Sequence, residues 1–240
     1  MFAARVIGHR GCAAHAPENT LAGLREAATR GVAWVEIDVA LLGDGTPVIF
    51  HDATVDRTTD GRGALRDLDW SRVARLDAGA WFAKKFVGER VPRLDQALDA
   101  VRSLGLGLDL ELKTHGDEGV RLVEAVVPVL RAADLAHAKF MASSFDVVAL
   151  SAFHRAAPDF AIAALFGAVP PDWQSITGSL SAIAVDADYR RVDARRVREI
   201  KQAGLDVYLY TPNDPGAVAH MWAWGIDGIF TDDPDKFRVT

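Results

Sequence analysis

Short apolar runs alternate along the chain with longer segments whose apolar residues recur at helical spacing. The short runs read as strands: AARVIG, AWVEIDVAL, TPVIFHD, LGLDLELK, KFMASSF, FAIAALF, SAIAVD, DVYLYT and DGIFT. The longer segments predict helices over 18–30, 94–103, 118–132, 147–157, 193–203 and 215–224. RLVEAVVPVLRAA has a clear helical stripe, with Pro128 placed to bend it, and RVREIKQAG ends on a glycine suited to a C-cap. Strands alternating with helices imply a parallel sheet covered by helices, an α/β fold. With TPVIFHD set aside, eight strands remain, the number of a TIM (β/α)₈ barrel. A doubly wound open sheet is the rival, but GHRGCAAHAP after the first strand lacks the spacing of a dinucleotide-binding glycine loop.

Residues 43–92 break the rhythm. LGDGTPVIFHD reads as a hairpin turning at Asp44 and Gly45, and the segment that follows, 54–92, is rich in turns and scattered aromatics. The expectation is a single barrel domain over 1–240 with a small insertion after the second strand region, at about 43–92, packed over one barrel end. No internal repeat, low-complexity tract or linker interrupts the rest.

The chain has 240 residues, half of them hydrophobic (50%) and a quarter charged (25%), which is ample for a large core. A net charge of −6 argues against a nucleic-acid partner but leaves room for a local basic pocket that binds a small anion. Cys12 is the one cysteine, so neither an internal disulfide nor a thiolate zinc site can form. The start, MFAARVIGHRG, has no secretory pattern and no apolar run reaches membrane-spanning length; the expected location is the cytoplasm, with no integral membrane segment. Faces such as MWAWG can serve either as a homodimer contact or as packing on the barrel.

Strand residues two apart share a face. Glu36 and Asp38 therefore point one way in VEIDV, and Asp109, Glu111 and Lys113 point together in LDLELK. A carboxylate inside a sheet buried on both sides is costly unless it is paired or holds a cation. Acids at barrel ends commonly pair with arginines. Two strands that each carry in-phase ionisable pairs instead favour an oxygen-rich site for one hard divalent metal, Mg²⁺ or Ca²⁺, held by Glu36, Asp38 and Glu111. Asp109, one layer deeper, is assigned a supporting role. His9 and Arg10 follow the first strand, and His51 and Asp52 follow PVIF. Two histidines suit general acid and base work, while Arg10 and Lys113 suit phosphate oxygens. A metal, two histidines and two cations describe phosphoryl chemistry better than acyl or hydride transfer. His15 is expected near the site, His115 in a loop, and His137, His154 and His220 on helices as surface or packing residues. Cys12 reads as a small buried filler or a thiol beside the site.

HRGCAAHAPENT, EIDVALLGDGTPVIFHDATVDRTT, LELK and GIDGIFTDDPD together resemble the glycerophosphodiester phosphodiesterase family, over about residues 7–235. LDAGAWFAKKFVGERVPRLDQAL is similar to that family's insertion. The resemblance implies a TIM barrel, a metal on Glu36, Asp38 and Glu111, His9 and His51 as acid and base, and phosphate contacts from Arg10 and Lys113. It implies support from Glu18 and Asn19, and a small-molecule glycerophosphodiester cleaved to sn-glycerol 3-phosphate and an alcohol. Attack by the glycerol 2-hydroxyl through a cyclic phosphate and attack by water both remain open at this point, as does which histidine is the base. One departure concerns the seventh strand, which in the family often ends Trp-Thr-Val-Asn; here it ends YTPN, so Tyr210 is the expected aromatic wall against the substrate and the leaving-group preference is in doubt.

Two alternatives share much of this pattern. A related phospholipase D-like or cyclic-phosphate-forming enzyme acting on lysophospholipids would show an exposed apolar rim, for which Trp70, Trp81, Phe82 and Phe86 are candidates. Those aromatics would otherwise fasten the insertion to the barrel. A non-catalytic barrel scaffold would have lost some of the site residues.

Overall fold

The computed structural model describes residues 4–133, 135 and 139–237; His137 lies outside them. The chain runs through β1 (Val6–Gly8), α1 (Leu21–Thr29), β2 (Trp34–Leu41), β3 (Pro47–Ile49), α2 (Trp70–Val73), α3 (Leu94–Leu104), β4 (Gly107–Leu112) and α4 (Gly119–Ala132). It continues through β5 (Phe140–Ser144), α5 (Val147–Ala156), β6 (Ala161–Phe166), α6 (Trp173–Ser179), β7 (Ala184–Asp188), α7 (Ala194–Gln202), β8 (Asp206–Tyr210), α8 (Pro215–Val218) and β9 (Gly228–Thr231). The hydrogen-bonded order is β1-β9-β8-β7-β6-β5-β4-β2, all parallel, and β1 pairs with β2 to close an eight-stranded TIM barrel. β3 lies outside the ring, antiparallel to β2.

Alternation sorts each strand's residues into two cores. Outward residues such as Val35, Ile37, Leu108, Leu110, Val185 and Val207 pack under the helices in the main core. Inward residues Ile7, Trp34, Met141, Ala163, Ala184, Tyr208 and Phe230 plug the barrel interior. Above that plug the inward positions become polar: Glu36, Asp38, Asp109, Glu111, Ser143, Asp186 and Asp188, all buried. The change from apolar to acidic within the same strands marks the depth at which the site begins.

The excursion between β2 and α3 has its own core, built from Leu42, Val48, Phe50, Val55, Leu65, Val73 and Val91 with Trp70 against it. Asp44 accepts from the Thr46 amide, and Gly45 takes φ +87°, so the hairpin turns where the sequence places it. The excursion is fastened to the barrel by Glu89, which accepts from the Ala22 amide at the start of α1.

Three helix expectations change. The first helix starts at Leu21 rather than residue 18, because Thr20 caps it and Asn19 turns with φ +56°. The segment 215–224 divides into α8 and a separate 3₁₀ turn over Met221–Trp224, with Trp222 and Trp224 packed on the main core. α6 was not expected at all: Gln174, Ser175, Thr177 and Gly178 give it weak helical propensity, and the burial of Trp173 and Thr177 on the barrel supplies the stability. α4 runs through Pro128 without interruption.

Candidate active site

The C-terminal ends of the strands surround a cavity of about 190 Å³ whose lining includes His9, Arg10, Glu36, His51, Glu111, Lys113 and Tyr210. Strand register explains much of this. β2 pairs with β4 so that Asp38 stands beside Glu111 and Glu36 beside Asp109. Donor oxygens of Glu36, Asp38 and Glu111 all lie within 4.8 Å of one another.

The loop after β1 makes a tight left-handed turn, with Arg10 at φ +50° and Gly11 at φ +90°. A side chain at position 11 would strike the Gly23 backbone, 2.9 Å from an ideal Cβ, so only glycine lets the loop rest on α1. The turn delivers the Arg10 amide to Glu36 Oε2 at 2.9 Å and the Arg10 guanidinium to Glu18 Oε1 at 2.7 Å. Asn19, the other left-handed residue of this loop, bonds Asp38 Oδ2 at 2.7 Å.

His9 is oriented from the far end of the chain. Its Nδ1 lies 2.6 Å from Asp232 Oδ1, which turns Nε2 to within 3.9 Å of Glu36 Oε2. Asn213 donates to the other Asp232 oxygen at 2.6 Å and accepts from the Asp232 amide. The Asn of YTPN thus holds the carboxylate that holds His9. His51 follows β3 because the Phe50 amide donates to the Asp38 carbonyl. Its Nδ1 sits 2.7 Å from Asp52 Oδ1. Arg57 then grips Asp52 and Glu18 together, with bonds of 2.6 Å to Asp52 Oδ2 and 2.7 Å to Glu18 Oε1. One arginine of the excursion therefore ties the His51 wall to the Arg10 wall.

The charges are strongly interdependent. Burial raises Glu36 well above the usual carboxylate range, and the neighbouring Asp38 and Glu111 charges push it the same way. Burial and Asp38 likewise push Glu111 to about 7, and burial takes Asp109 to about 8 against the pull of the Ser143 hydroxyl. Asp38 goes the other way: burial opposes its charge, but Lys113 at 3.0 Å, Arg10 and the Asn19 bond outweigh burial and lower it. Lys113 also pairs with Glu111. Burial, with Lys113 and Arg10, lowers His51 against the pull of Asp38. Arg57 first, then His51, hold Asp52 at about 2.

The donor set suits a hard divalent cation. All three groups offer oxygen, they converge from two adjacent strands, and Glu36 Oε1 is buried with no hydrogen-bond partner among the described residues. Acidic groups in the cavity outnumber the two cations Arg10 and Lys113, and a divalent ion would relieve that imbalance.

Several expected positions take different roles. His15 does not line the cavity; it pairs with Asp233 on the outer side of the first loop. The Tyr210 ring lines the cavity, but its hydroxyl donates to the Phe166 carbonyl at 2.9 Å, and burial raises the phenol above its usual range. Cys12 is fully buried in the main core and burial pushes its thiol up to about 12, which makes it filler. His115 lies beside the excursion in a separate groove, and His220 stacks edge-on to Trp224. Among the four aromatics, Trp70 packs on the excursion's core and Trp81, Phe82 and Phe86 pack edge-to-face on one another. The aromatic exposed at the cavity mouth is instead Phe145, edge-on to Tyr210. Sequence reasoning left Asp232, Asn213, Asp52, Arg57 and Asp186 without roles. Asp52 and Asp232 each follow a strand end next to charged residues, which was the available signal.

A profile of the glycerophosphoryl diester phosphodiesterase family matches residues 9–236. The chain belongs to this family. A glycerophosphodiester phosphodiesterase of Caldanaerobacter subterraneus subsp. tengcongensis is 31% identical over 232 residues, spanning 96% of this chain and 94% of that one. Among solved structures, an Oleispira antarctica phosphodiesterase in complex with the product sn-glycerol-3-phosphate superposes with a TM-score of 0.94 at 37% identity, covering 98% of this chain and 95% of that one. A glycerophosphodiester phosphodiesterase from Agrobacterium tumefaciens gives 0.81 at 28% identity, with 98% of each chain covered. The barrel is thus shared with these structures over almost the full length of the chain. Among the described residues, no helix is long and apolar enough to cross a membrane.

Proposed function

We propose that the chain is a metal-dependent glycerophosphodiester phosphodiesterase that releases sn-glycerol 3-phosphate and an alcohol by general acid and base catalysis with His9 and His51. Residues 1–240 act as one catalytic barrel, and the 43–92 excursion contributes His51. Family membership makes the chain a phosphodiesterase. The observation that supports the mechanism is the convergence of two carboxylate-oriented histidines, Arg10, Lys113 and a three-carboxylate cluster on one cavity.

Glu36, Asp38 and Glu111 would hold the cation, Mg²⁺ or Ca²⁺, which supplies charge neutralisation for the phosphate and its developing negative charge. Lys113 and Arg10 line the same cavity and are the donors for the phosphate oxygens, Arg10 through its forked donors and Lys113 as a point charge. Asp52 accepts from His51 Nδ1–H, which leaves Nε2 as the free lone pair, and burial beside two cations keeps the ring neutral. His51 therefore takes the proton from the attacking oxygen. His9, held at Nδ1 by Asp232 and with Nε2 facing Glu36, is placed to give a proton to the departing alcohol oxygen as the P–O bond breaks. Tyr210 contributes its ring as a wall.

The test is release of sn-glycerol 3-phosphate from glycerophosphocholine and glycerophosphoethanolamine, in EDTA and after Mg²⁺ or Ca²⁺ is restored. Release that depends on the metal is the expected result. Release in EDTA at the same rate would remove the metal, and no release under any condition would remove the activity.

A further inference from the structure

Asp186 is a buried carboxyl that the mechanism does not use. It stands on β7 with 1% of its surface exposed, and its side chain lines the cavity below Glu111 and Lys113. Neither carboxylate oxygen has a hydrogen-bond partner among the described residues. Its register neighbours are Leu165 on β6 and Tyr208 on β8; Leu165 has nothing to donate, and the Tyr208 hydroxyl is turned to Asp206. The charges that bear on it, Asp109 and Glu111, are both acidic. Asp188, two residues on and nearer the surface, shows the contrasting case: it bonds both the backbone and the guanidinium of Arg190.

Burying a carboxyl without a hydrogen-bond partner is unfavourable, so the fold gains nothing from it alone. What could occupy the space beside it is narrowed by chemistry. A phosphate oxygen finds its donors at Arg10 and Lys113 rather than here, where the groups that bear on Asp186 are carboxyls. An alcohol hydroxyl fits either state of the group, because it donates to a carboxylate and accepts from a carboxylic acid. The cavity is closed beneath by Trp34, Met141, Tyr208 and Phe230, so the portion of the substrate that reaches Asp186 is a buried, non-departing one. The leaving alcohol must exit past Phe145 at the mouth. The phosphate is held between these two ends by Arg10 and Lys113.

We infer that Asp186 is a specificity-determining residue that binds a hydroxyl of the glycerol moiety at the cavity floor, and that it selects polyol phosphates over phosphates of plain alkyl chains. This deepens the phosphodiesterase reading and rests on it. A site built to bond a hydroxyl rejects the analogue that lacks it, because its own polar group is then left unpaired.

The experiment measures binding directly by calorimetry, with Mg²⁺ present, for sn-glycerol 3-phosphate and for propyl phosphate. The variants are Asp186→Ala and Asp186→Asn. The wild-type chain is expected to prefer sn-glycerol 3-phosphate by about tenfold or more. Asp186→Ala should lose most of that preference by weakening the polyol alone, and Asp186→Asn, which keeps a donor and an acceptor, should retain most of it. Both variants should melt no lower than wild type, since no bond is broken. In turnover, Asp186→Ala should raise KM by the same factor for glycerophosphocholine and glycerophosphoethanolamine. An unchanged preference in Asp186→Ala, equal weakening of both ligands, or a KM effect confined to one headgroup would each overturn the inference. Absence of turnover in the wild-type chain would instead count against the phosphodiesterase reading, which the calorimetric comparison does not require.

Discussion

Asn19 and Asp38 exchange two hydrogen bonds: the Asn19 amide donates to Asp38 Oδ2 at 2.7 Å, and its carbonyl accepts from the Asp38 backbone N–H at 3.1 Å. This two-way clasp locks the first loop to the centre of β2 and leaves Asp38 Oδ1 to Lys113. Asn19→Ala should leave the buried Asp38 short of a donor, destabilise the chain by about 1–3 kcal/mol, and raise the metal concentration needed for half-maximal activity. A metal titration of activity and a thermal melt check both. Unaltered metal dependence would show that Asn19 only supports the loop.

His9→Ala and His51→Ala should each lower kcat by about 10²–10⁴ with little change in melting temperature. Asp232→Asn should lower kcat less than His9→Ala while leaving the fold intact, because it frees the imidazole to flip rather than removing it. Single-turnover rates on glycerophosphocholine, compared with melts of each variant, are the check. Near-normal rates in either histidine variant would remove that residue from the mechanism.

The metal-free chain should be less stable at high pH. Glu111 is raised to about 7 and Asp109 to about 8 in the folded state, above their ordinary carboxylate values in the unfolded chain. Their contribution is therefore fully present below about pH 4 and is lost as pH rises through roughly 7 to 8. Melting in EDTA should fall across that window, and Glu111→Gln should flatten the fall. Added Mg²⁺ or Ca²⁺ should reverse it for the wild-type chain, since the cation replaces the proton. A melting temperature in EDTA that is flat between pH 4 and 8 would contradict the buried acidic cluster.

The acid limb of the kcat/KM profile should lie below the ordinary histidine value, because burial, Lys113 and Arg10 lower His51 and the base must be neutral to act. Lys113→Met removes one of those cations and should move the limb upward while raising KM. Initial rates across pH 4.5–8 at saturating metal are the measurement.

Arg57→Ala cuts the bridge between Glu18 and Asp52 without touching the cavity wall. Asp52 should then lose its strongest support and rise from about 2 toward its usual range. kcat is expected to fall about tenfold with the melting temperature nearly unchanged, since Arg57 is half exposed. A loss equal to that of His51→Ala would mean the excursion has come away from the barrel.

Periodicity determined the alternation of strands and helices, and with it the α/β class. Alternating strand and helix signals, the in-phase pairs Glu36–Asp38 and Glu111–Lys113, and the Asp44–Gly45 turn are local consequences of side-chain direction and backbone freedom, so they can be read one segment at a time. α6 was missed because its stability comes from packing and not from propensity. What only the tertiary structure decided is which charges meet. Asp232 reaches His9 from 223 residues away, Arg57 reaches Glu18 across 39, and the charges that bear on Asp186 come from the acidic residues of another strand. Barrel closure brings these partners together, and the low-dielectric interior then sets their protonation, which no local pattern encodes.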